Sequence, residues 1–168
     1  ATAVVQSDPA APMPLLVASR LLGKRGKKDV AAKGLAAAVG RAVDAGNLAL
    51  AVAACRDMQA IGADASAQLA EIARTFCAGS KRLADGVRPP GLPQGAAAGV
   101  TPLAEKITGD KLTSEAESAV RGAAGLYESE VKVRGEAPKV HAEPLFSALD
   151  ETGLAAMIGI FDTITVPA

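Results

Sequence analysis

The side chains of this sequence best suited to bind zinc or to act as a nucleophile are those of His141, Cys55 and Cys77. One histidine is too few for a multi-histidine zinc site, and the two cysteines do not form a CxxC pair. A Cys–His nucleophile would need His141 to fold back onto a helix pair from a charged connection flanked by prolines. The pattern favours two buried core thiols, so we predict neither catalytic residues nor a metal site.

The spacing of the cysteines also predicts free thiols. If two helices turn at about residue 63 or 64, the residue opposite Cys55 is about Ile72. Cys77 is then displaced by roughly five residues, or ~7.5 Å along the helix axis. Added to an interaxial distance of ~8 Å, this displacement exceeds the usual Cα limit of ~7 Å for a disulfide.

Other patterns with chemical meaning are weak. Carboxylates one or two residues apart on a helix point in different directions, which favours a solvated face over an acid/base dyad. No GxGxxG follows a strand and no GxxxxGK[ST] loop occurs, and one tyrosine with three scattered phenylalanines makes no platform for stacking bases. The acidic pairs are Glu115 and Glu117, Glu128 and Glu130, and Asp150 and Glu151.

Charge argues against a nucleic-acid partner, and hydropathy argues against a transmembrane helix. Eighteen basic and eighteen acidic side chains give a formal net charge of zero, which argues against nucleic acid. The longest strongly apolar stretch, residues 154–166, contains Asp162 and is shorter than the ~20 residues of a membrane span. We predict no transmembrane helix and at most a peripheral membrane association. The initial Ala1 fits either a mature product or simple loss of an initiator Met.

The elements that would position any site are helices. The chain has 168 residues, 49% of them hydrophobic but only 2% aromatic, and alanine faces allow helices to approach closely. We predict an all-α fold, an antiparallel bundle of four main helices plus short helices. The bundle domain spans residues 29–168, with a Pro/Gly loop at 86–100.

Residues 1–28 precede that bundle. Pro9, Pro12 and Pro14 predict an extended arm over residues 1–14, followed by a short apolar helix over residues 15–22. A basic turn around Gly26 comes next, and it is either solvated or a docking patch for an acidic partner. The residues that we predict for docking are Pro9, Pro12, Pro14, Lys24, Arg25, Lys27 and Lys28.

Caps and apolar spacing predict the bundle helices. Asp29 is expected to cap the first, which ends near Gly46, and Asn47 caps a second that ends at Gly62. A third helix opens at Asp64 or Ser66 and carries apolar residues as far as Leu83. The turn between the second and third helices is so short that they must run antiparallel.

The second half carries weaker signals. Thr101 and Pro102 predict a short helix to about Ile107, and Ser114 with Glu117 predicts a capping box that opens a longer helix. Gly135 and Pro138 close that helix. After Pro144 we expect two helical pieces, separated by a break at residues 152–153.

A proline-bearing N-terminal arm followed by an antiparallel helical bundle, from Pro9 to the C-terminus, resembles the extrinsic PsbQ-like proteins of photosystem II. The resemblance implies a subunit of the chloroplast thylakoid lumen that docks through its arm and shields the membrane-embedded core. It carries no individual functional residue over to this chain.

A local run is similar to the helical repeat of the peridinin–chlorophyll protein of dinoflagellates. That family holds chlorophyll near a histidine late in the same helix, where this chain has Phe76 and Cys77. The similar run comprises Met58, Gly62, Ala63, Leu69 and Ala73.

These observations lead to one functional hypothesis and two alternatives. We expect a non-enzymatic accessory subunit without a cofactor that docks onto the protein subunits of a larger assembly, most specifically a photosystem core in the thylakoid lumen. The first alternative is a helical carrier of an apolar ligand or of a pigment of the carotenoid or chlorophyll type. The second is an enzyme that uses Cys55 or Cys77 as its nucleophile.

Overall fold

The computed structural model describes residues 5–6, 8–86 and 108–161. The described part is all-helical, as predicted, and contains no strand. None of its helices is long and apolar enough to cross a membrane. The helices are α1 (Pro12–Lys24), α2 (Lys28–Asp44), α3 (Leu48–Ala60), α4 (Ser66–Phe76), α5 (Gly109–Val133) and α6 (Glu151–Ile160).

Helix α2 is central. It packs against α1, α3, α4 and α5, while α6 packs mainly against α4. Alanines such as Ala31, Ala38 and Ala42 are fully buried on α2, which lets neighbouring helices approach closely. A single cluster of buried apolar residues joins α1 to α6. Its largest fully buried side chains include Leu15, Leu22, Leu35, Ile72, Phe76, Leu154 and Ile158.

Short connections join the first helices as their sequence predicts. The side-chain oxygen of Asn47 accepts a hydrogen bond from the Leu50 N–H at 3.0 Å, which confirms the predicted cap of α3. Gly46 and Gly62, with φ of 69° and 81°, follow α2 and α3 in the left-handed conformation that ends many helices.

The prediction of an extended arm is wrong for Pro12 and Pro14, because both lie in the first turn of α1. A proline is tolerated there since its missing N–H would have no intrahelical acceptor. Pro9 lies in a turn that is closed by a hydrogen bond from the Ala11 N–H to the Asp8 carbonyl at 3.2 Å. Val5 is helical and 1% exposed, so the described N-terminal residues also contribute to the core.

Two helix boundaries in the first half differ from the prediction. α2 begins at Lys28, so Asp29 lies inside its first turn and is not the N-cap. α4 ends at Phe76, because Cys77 is extended, and Leu83 instead forms an isolated bridge with Val140. The N–H of Ala84 donates to the Val140 carbonyl at 2.8 Å, which draws residues 80–84 away from the helix axis.

Boundaries in the second half also differ. α5 begins at Gly109, so Ser114 and Glu117 lie within the helix and form no capping box. Residues 144–149 form turns instead of a helix, and the predicted break at residues 152–153 lies inside α6. Asp150 caps α6 by accepting from the Gly153 N–H at 2.7 Å. The predicted loop beyond Gly86 and the predicted helix at 101–107 lie outside the described residues.

Candidate docking site

The basic turn, residues 24–28, joins the end of α1 to the start of α2. Gly26 reverses the chain with φ of 77°, and its charged neighbours are exposed. Lys27 Nζ lies 3.3 Å from Glu117 Oε2 on α5. Among the described residues, Lys24, Arg25 and Lys28 have no ion-pair partner. The turn therefore presents cations that no acid of the described chain neutralises by direct contact.

A groove lies beside this turn and encloses about 510 Å³ between α1, the start of α2 and the end of α3. Its lining is mixed: Ala60 and Ile61 supply apolar surface beside charged side chains, and Leu35 beneath them has no exposed surface. Arg20 of α1 pairs with Asp57 of α3 across it. The lining residues are Arg20, Gly23, Lys24, Lys28, Leu35, Asp57, Ala60 and Ile61.

Gly23 lies in the groove lining where α1 meets the end of α3. A Cβ atom at this position would lie 2.9 Å from Cγ2 of Ile61, closer than real Cβ atoms approach other heavy atoms. The glycine thus lets α1 and the end of α3 meet without displacing Ile61. Sequence reasoning gave no role to Gly23, since its reason is a contact with a residue far along the chain.

The exposed face of α1 continues from the groove as an outer row of side chains, Met13, Val17, Arg20 and Lys24. Their spacing of four, three and four residues places them on one helix face. Met13 is 53% exposed and Val17 is 43% exposed, so the row is apolar at its start and cationic at its end. A surface that carries both apolar and cationic side chains can contact an amphipathic partner.

The structure does not bring the predicted docking residues into one patch. Lys24 and Lys28 line the groove, Arg25 lies between them in the turn, and Lys27 faces α5. Pro12 and Pro14 lie at the opposite end of α1, roughly 15–18 Å from Lys24 along the helix axis. The two groups are joined only by the outer row.

A second charged cluster was not predicted. Asp44 accepts from Arg82 Nη2 at 2.9 Å and from Arg134 Nη1 at 2.6 Å. The Arg82 guanidinium also donates to Glu71 at 3.3 Å and to the Pro138 carbonyl at 3.1 Å, so its donors are occupied. The cluster ties α2 to α4 and to the end of α5. An acidic residue in the last turn of a helix, where the macrodipole disfavours it, was the available signal.

The ring of Tyr127 lies inside this cluster. The Arg41 guanidinium carbon is 5.0 Å from its centroid and that of Arg134 is 6.0 Å away, which is cation–π geometry. Burial, and after it the charge of Asp44, raise the pKa of Tyr127 above its ordinary value. The hydrogen bond to Asp44 raises the pKa of Arg134. The cations and carboxylates pair with each other, so we interpret this cluster as structural.

The two candidate nucleophiles belong to the buried core of the described residues. Cys55 and Cys77 are free and buried. Burial raises the pKa of the Cys55 thiol from 9.0 to about 12, so this thiol keeps its proton at neutral pH. His141 lies near the α2–α3 turn, where its backbone N would be 3.9 Å from a Cβ atom at position 46. The described residues contain no group of three or more His, Cys, Asp or Glu residues that could hold a metal.

Comparison with known protein families, with curated proteins and with solved structures finds no match to this chain.

Proposed function

We propose that this chain is a non-enzymatic accessory subunit that docks onto a larger protein assembly through the basic turn and the adjoining groove. The observation that carries the proposal is that Lys24, Arg25 and Lys28 lack ion-pair partners in the described chain beside a groove that Ala60 and Ile61 make partly apolar. Exposed cations around a partly apolar recess combine steering of an acidic partner with a surface that gains from losing water.

Nucleic acid is a weaker candidate for the same surface. The formal net charge of the chain is zero, so no wide positive field surrounds the basic turn. The acidic Asp29, Asp57 and Glu117 lie among its cations. These features favour a partner that meets both charged and apolar side chains over one that presents a row of phosphates.

The specific form of the proposal is an extrinsic photosystem subunit in the chloroplast thylakoid lumen, docked on the membrane-embedded core. It rests on the resemblance to PsbQ-like proteins, and it includes an antiparallel arrangement of the four main helices. The packing of α1 against α2 and of α2 against α3 across short turns is compatible with that arrangement. The absence of a cofactor and of catalysis belongs to the same proposal.

A native pull-down with the tagged full chain tests the proposal, with mass spectrometry and an absorbance spectrum of the eluate. Recovery of a defined set of photosystem subunits would support the lumenal form. Recovery of another stable assembly would support docking and contradict the photosystem. A chain that elutes alone and coloured would indicate a pigment carrier, and one that elutes alone and colourless would contradict docking.

A further inference from the structure

We infer that the surface formed by the outer row and the groove binds an acidic amphipathic helix of the partner protein. This inference rests on the proposed docking function and names the chemistry of the docked element. The partner helix lies along α1, with apolar side chains over Met13 and Val17 and carboxylates beside Lys24 and Lys28. One of its apolar side chains enters the groove above Leu35.

The spacing of the outer row is the first argument. From Met13 to Lys24 the row extends roughly 16 Å along α1, which is about three helical turns. Amphipathic helices present anchors at spacings of three and four residues, so a second helix laid beside α1 meets this row in register. No strand edge is present in the described ranges to receive an extended peptide instead.

The groove is the second argument. Its volume of about 510 Å³ is within the ~300–1,000 Å³ range of binding pockets, and its accessible apolar surface comes from Ala60 and Ile61. Lys24 and Lys28 line the same groove. An apolar side chain of the partner that enters the groove therefore lies close to both lysines. The partner helix should therefore carry an apolar residue with Asp or Glu within one helical turn of it.

Charge complementarity fixes the sign of the partner. Arg20 and Lys27 already have carboxylate partners, whereas Lys24, Arg25 and Lys28 have none among the described residues. A carboxylate of the partner would neutralise these cations without displacing an existing ion pair. An anionic membrane would also attract cations, but the outer row offers only Met13 and Val17 for insertion.

Two designed peptides test the inference with the 15N-labelled full chain. One is an acidic amphipathic helix of Leu, Ala, Gln and Glu, and the other has the same composition in an order that destroys the apolar face. We expect the helix to shift amide resonances of α1 and of residues 57–61, and the scrambled peptide to bind at least about tenfold more weakly. Equal binding of both peptides, or shifts confined to other surfaces, would overturn the inference.

Charge reversal provides a matched pair of variants. Lys24→Glu with Lys28→Glu changes one lysine in a last helical turn and one in a first turn, and Lys132→Glu with Lys111→Glu does the same on α5. The changes at the helix ends are therefore alike in both variants. We expect the first pair to weaken peptide binding by about tenfold or more and the second by less than about twofold. Equal losses would contradict the inference.

An apolar pair follows the same logic. Val17→Asp alters the outer row, while Val131→Asp alters a valine of nearly equal exposure, 44% against 43%, on α5. Only Val17→Asp should weaken binding. Vesicles of phosphatidylcholine with phosphatidylserine serve as a competitor: if they bind the chain and displace the peptide, the surface recognises a membrane and the inference fails.

The pull-down separates this inference from the proposed function. If the wild type and the Lys24→Glu/Lys28→Glu variant capture the assembly equally, the docking function is supported. The same result contradicts the assignment of docking to the outer row and the groove. If neither captures an assembly but the peptide experiments succeed, the surface binds acidic helices and the accessory-subunit function falls. Loss of capture in this variant alone, with crosslinks from α1 to an acidic helix, supports both.

Discussion

Gly40 lies directly against Tyr127, so closely that a Cβ atom on Gly40 would be 2.0 Å from the tyrosine hydroxyl oxygen. This contact joins the second half of α2 to α5. It also holds the tyrosine ring where Arg41 and Arg134 approach it. A residue without a side chain on one helix thus positions the one tyrosine of the chain on another.

Gly40→Ala should therefore destabilise the fold. The new methyl group would displace Tyr127 and disturb the cations around its ring at a cost of about 1–3 kcal/mol, and a gain in helix propensity of ~1 kcal/mol offsets part of it, which leaves a net loss of up to about 2 kcal/mol. Gly122→Ala on α5 is the control, because a Cβ there meets nothing within 4 Å. Urea unfolding followed by circular dichroism should show a loss for Gly40→Ala and a small gain for the control.

Asp44→Asn should weaken the junction between α2, α5 and residues 80–84. The carboxylate accepts from both Arg82 and Arg134 and is only 15% exposed, so an amide leaves partly buried guanidinium groups underpaired. We expect a loss of about 1–3 kcal/mol in the free energy of unfolding. Glu117→Gln, which alters the solvent-screened pairs of Glu117 with Arg121 and Lys27, should cost clearly less. Similar losses for the two variants would contradict a structural role of Asp44.

Helices set by local residues were predicted well. α3 lies between a side-chain cap at Asn47 and a left-handed Gly62, and both signals are readable within a few residues. The prediction for α4 is too long, because the apolar spacing continues to Leu83. In the structure the helix ends at Phe76, and Leu83 bridges with Val140. That partner lies far along the chain, where no local pattern points to it.

The Asp44 cluster escaped prediction for the same reason. Its hydrogen bonds join residues 38 and 90 positions apart in sequence. Ser114 misled in the opposite way: a Ser–Glu spacing of three also occurs inside a helix, and Glu117 there pairs with Arg121 and Lys27. The composition of residues 24–28 predicts the basic turn. The groove beside it could not be predicted from a local pattern, because its wall includes Ile61 at the end of α3.

Arg56 should control how firmly α6 is held. Its Nη2 donates to the carbonyls of Ile158 at 2.8 Å and Gly159 at 2.6 Å, at the C-terminus of a helix with no basic residue in its last turn. Only Leu154 and Ile158 of α6 are buried, so this cap is a large share of its attachment. Arg56→Gln should cost about 1 kcal/mol locally and speed amide hydrogen exchange in α6 about fivefold.

Arg74→Gln is the matched control for Arg56→Gln, because Arg74 is exposed and its one ion-pair partner within the described ranges is Glu71 on its own helix, at 3.6 Å. It should leave exchange in α6 unchanged. If Arg56→Gln also leaves that exchange unchanged, the packing of Leu154 and Ile158 holds the helix without the cap.

Alkaline pH should destabilise the fold through Cys55. The thiol is fully buried, and its pKa is raised from 9.0 to about 12, so the folded protein holds this proton more tightly than the unfolded chain. The resulting stability is complete below pH about 9 and is lost as pH rises towards about 12, at up to about 1.4 kcal/mol for each pH unit. Urea unfolding at a series of pH values measures this decline.

Cys55→Ala should flatten that decline, although the lost sulfur leaves a small cavity whose cost does not depend on pH. The slope against pH is therefore the diagnostic quantity, not the absolute free energy. Tyr127→Phe separates the second contribution, because the raised pKa of Tyr127 adds a loss of the same sign only above pH about 10. An unchanged slope between pH 9 and 10 in Cys55→Ala would show that the Cys55 thiol does not titrate with folding.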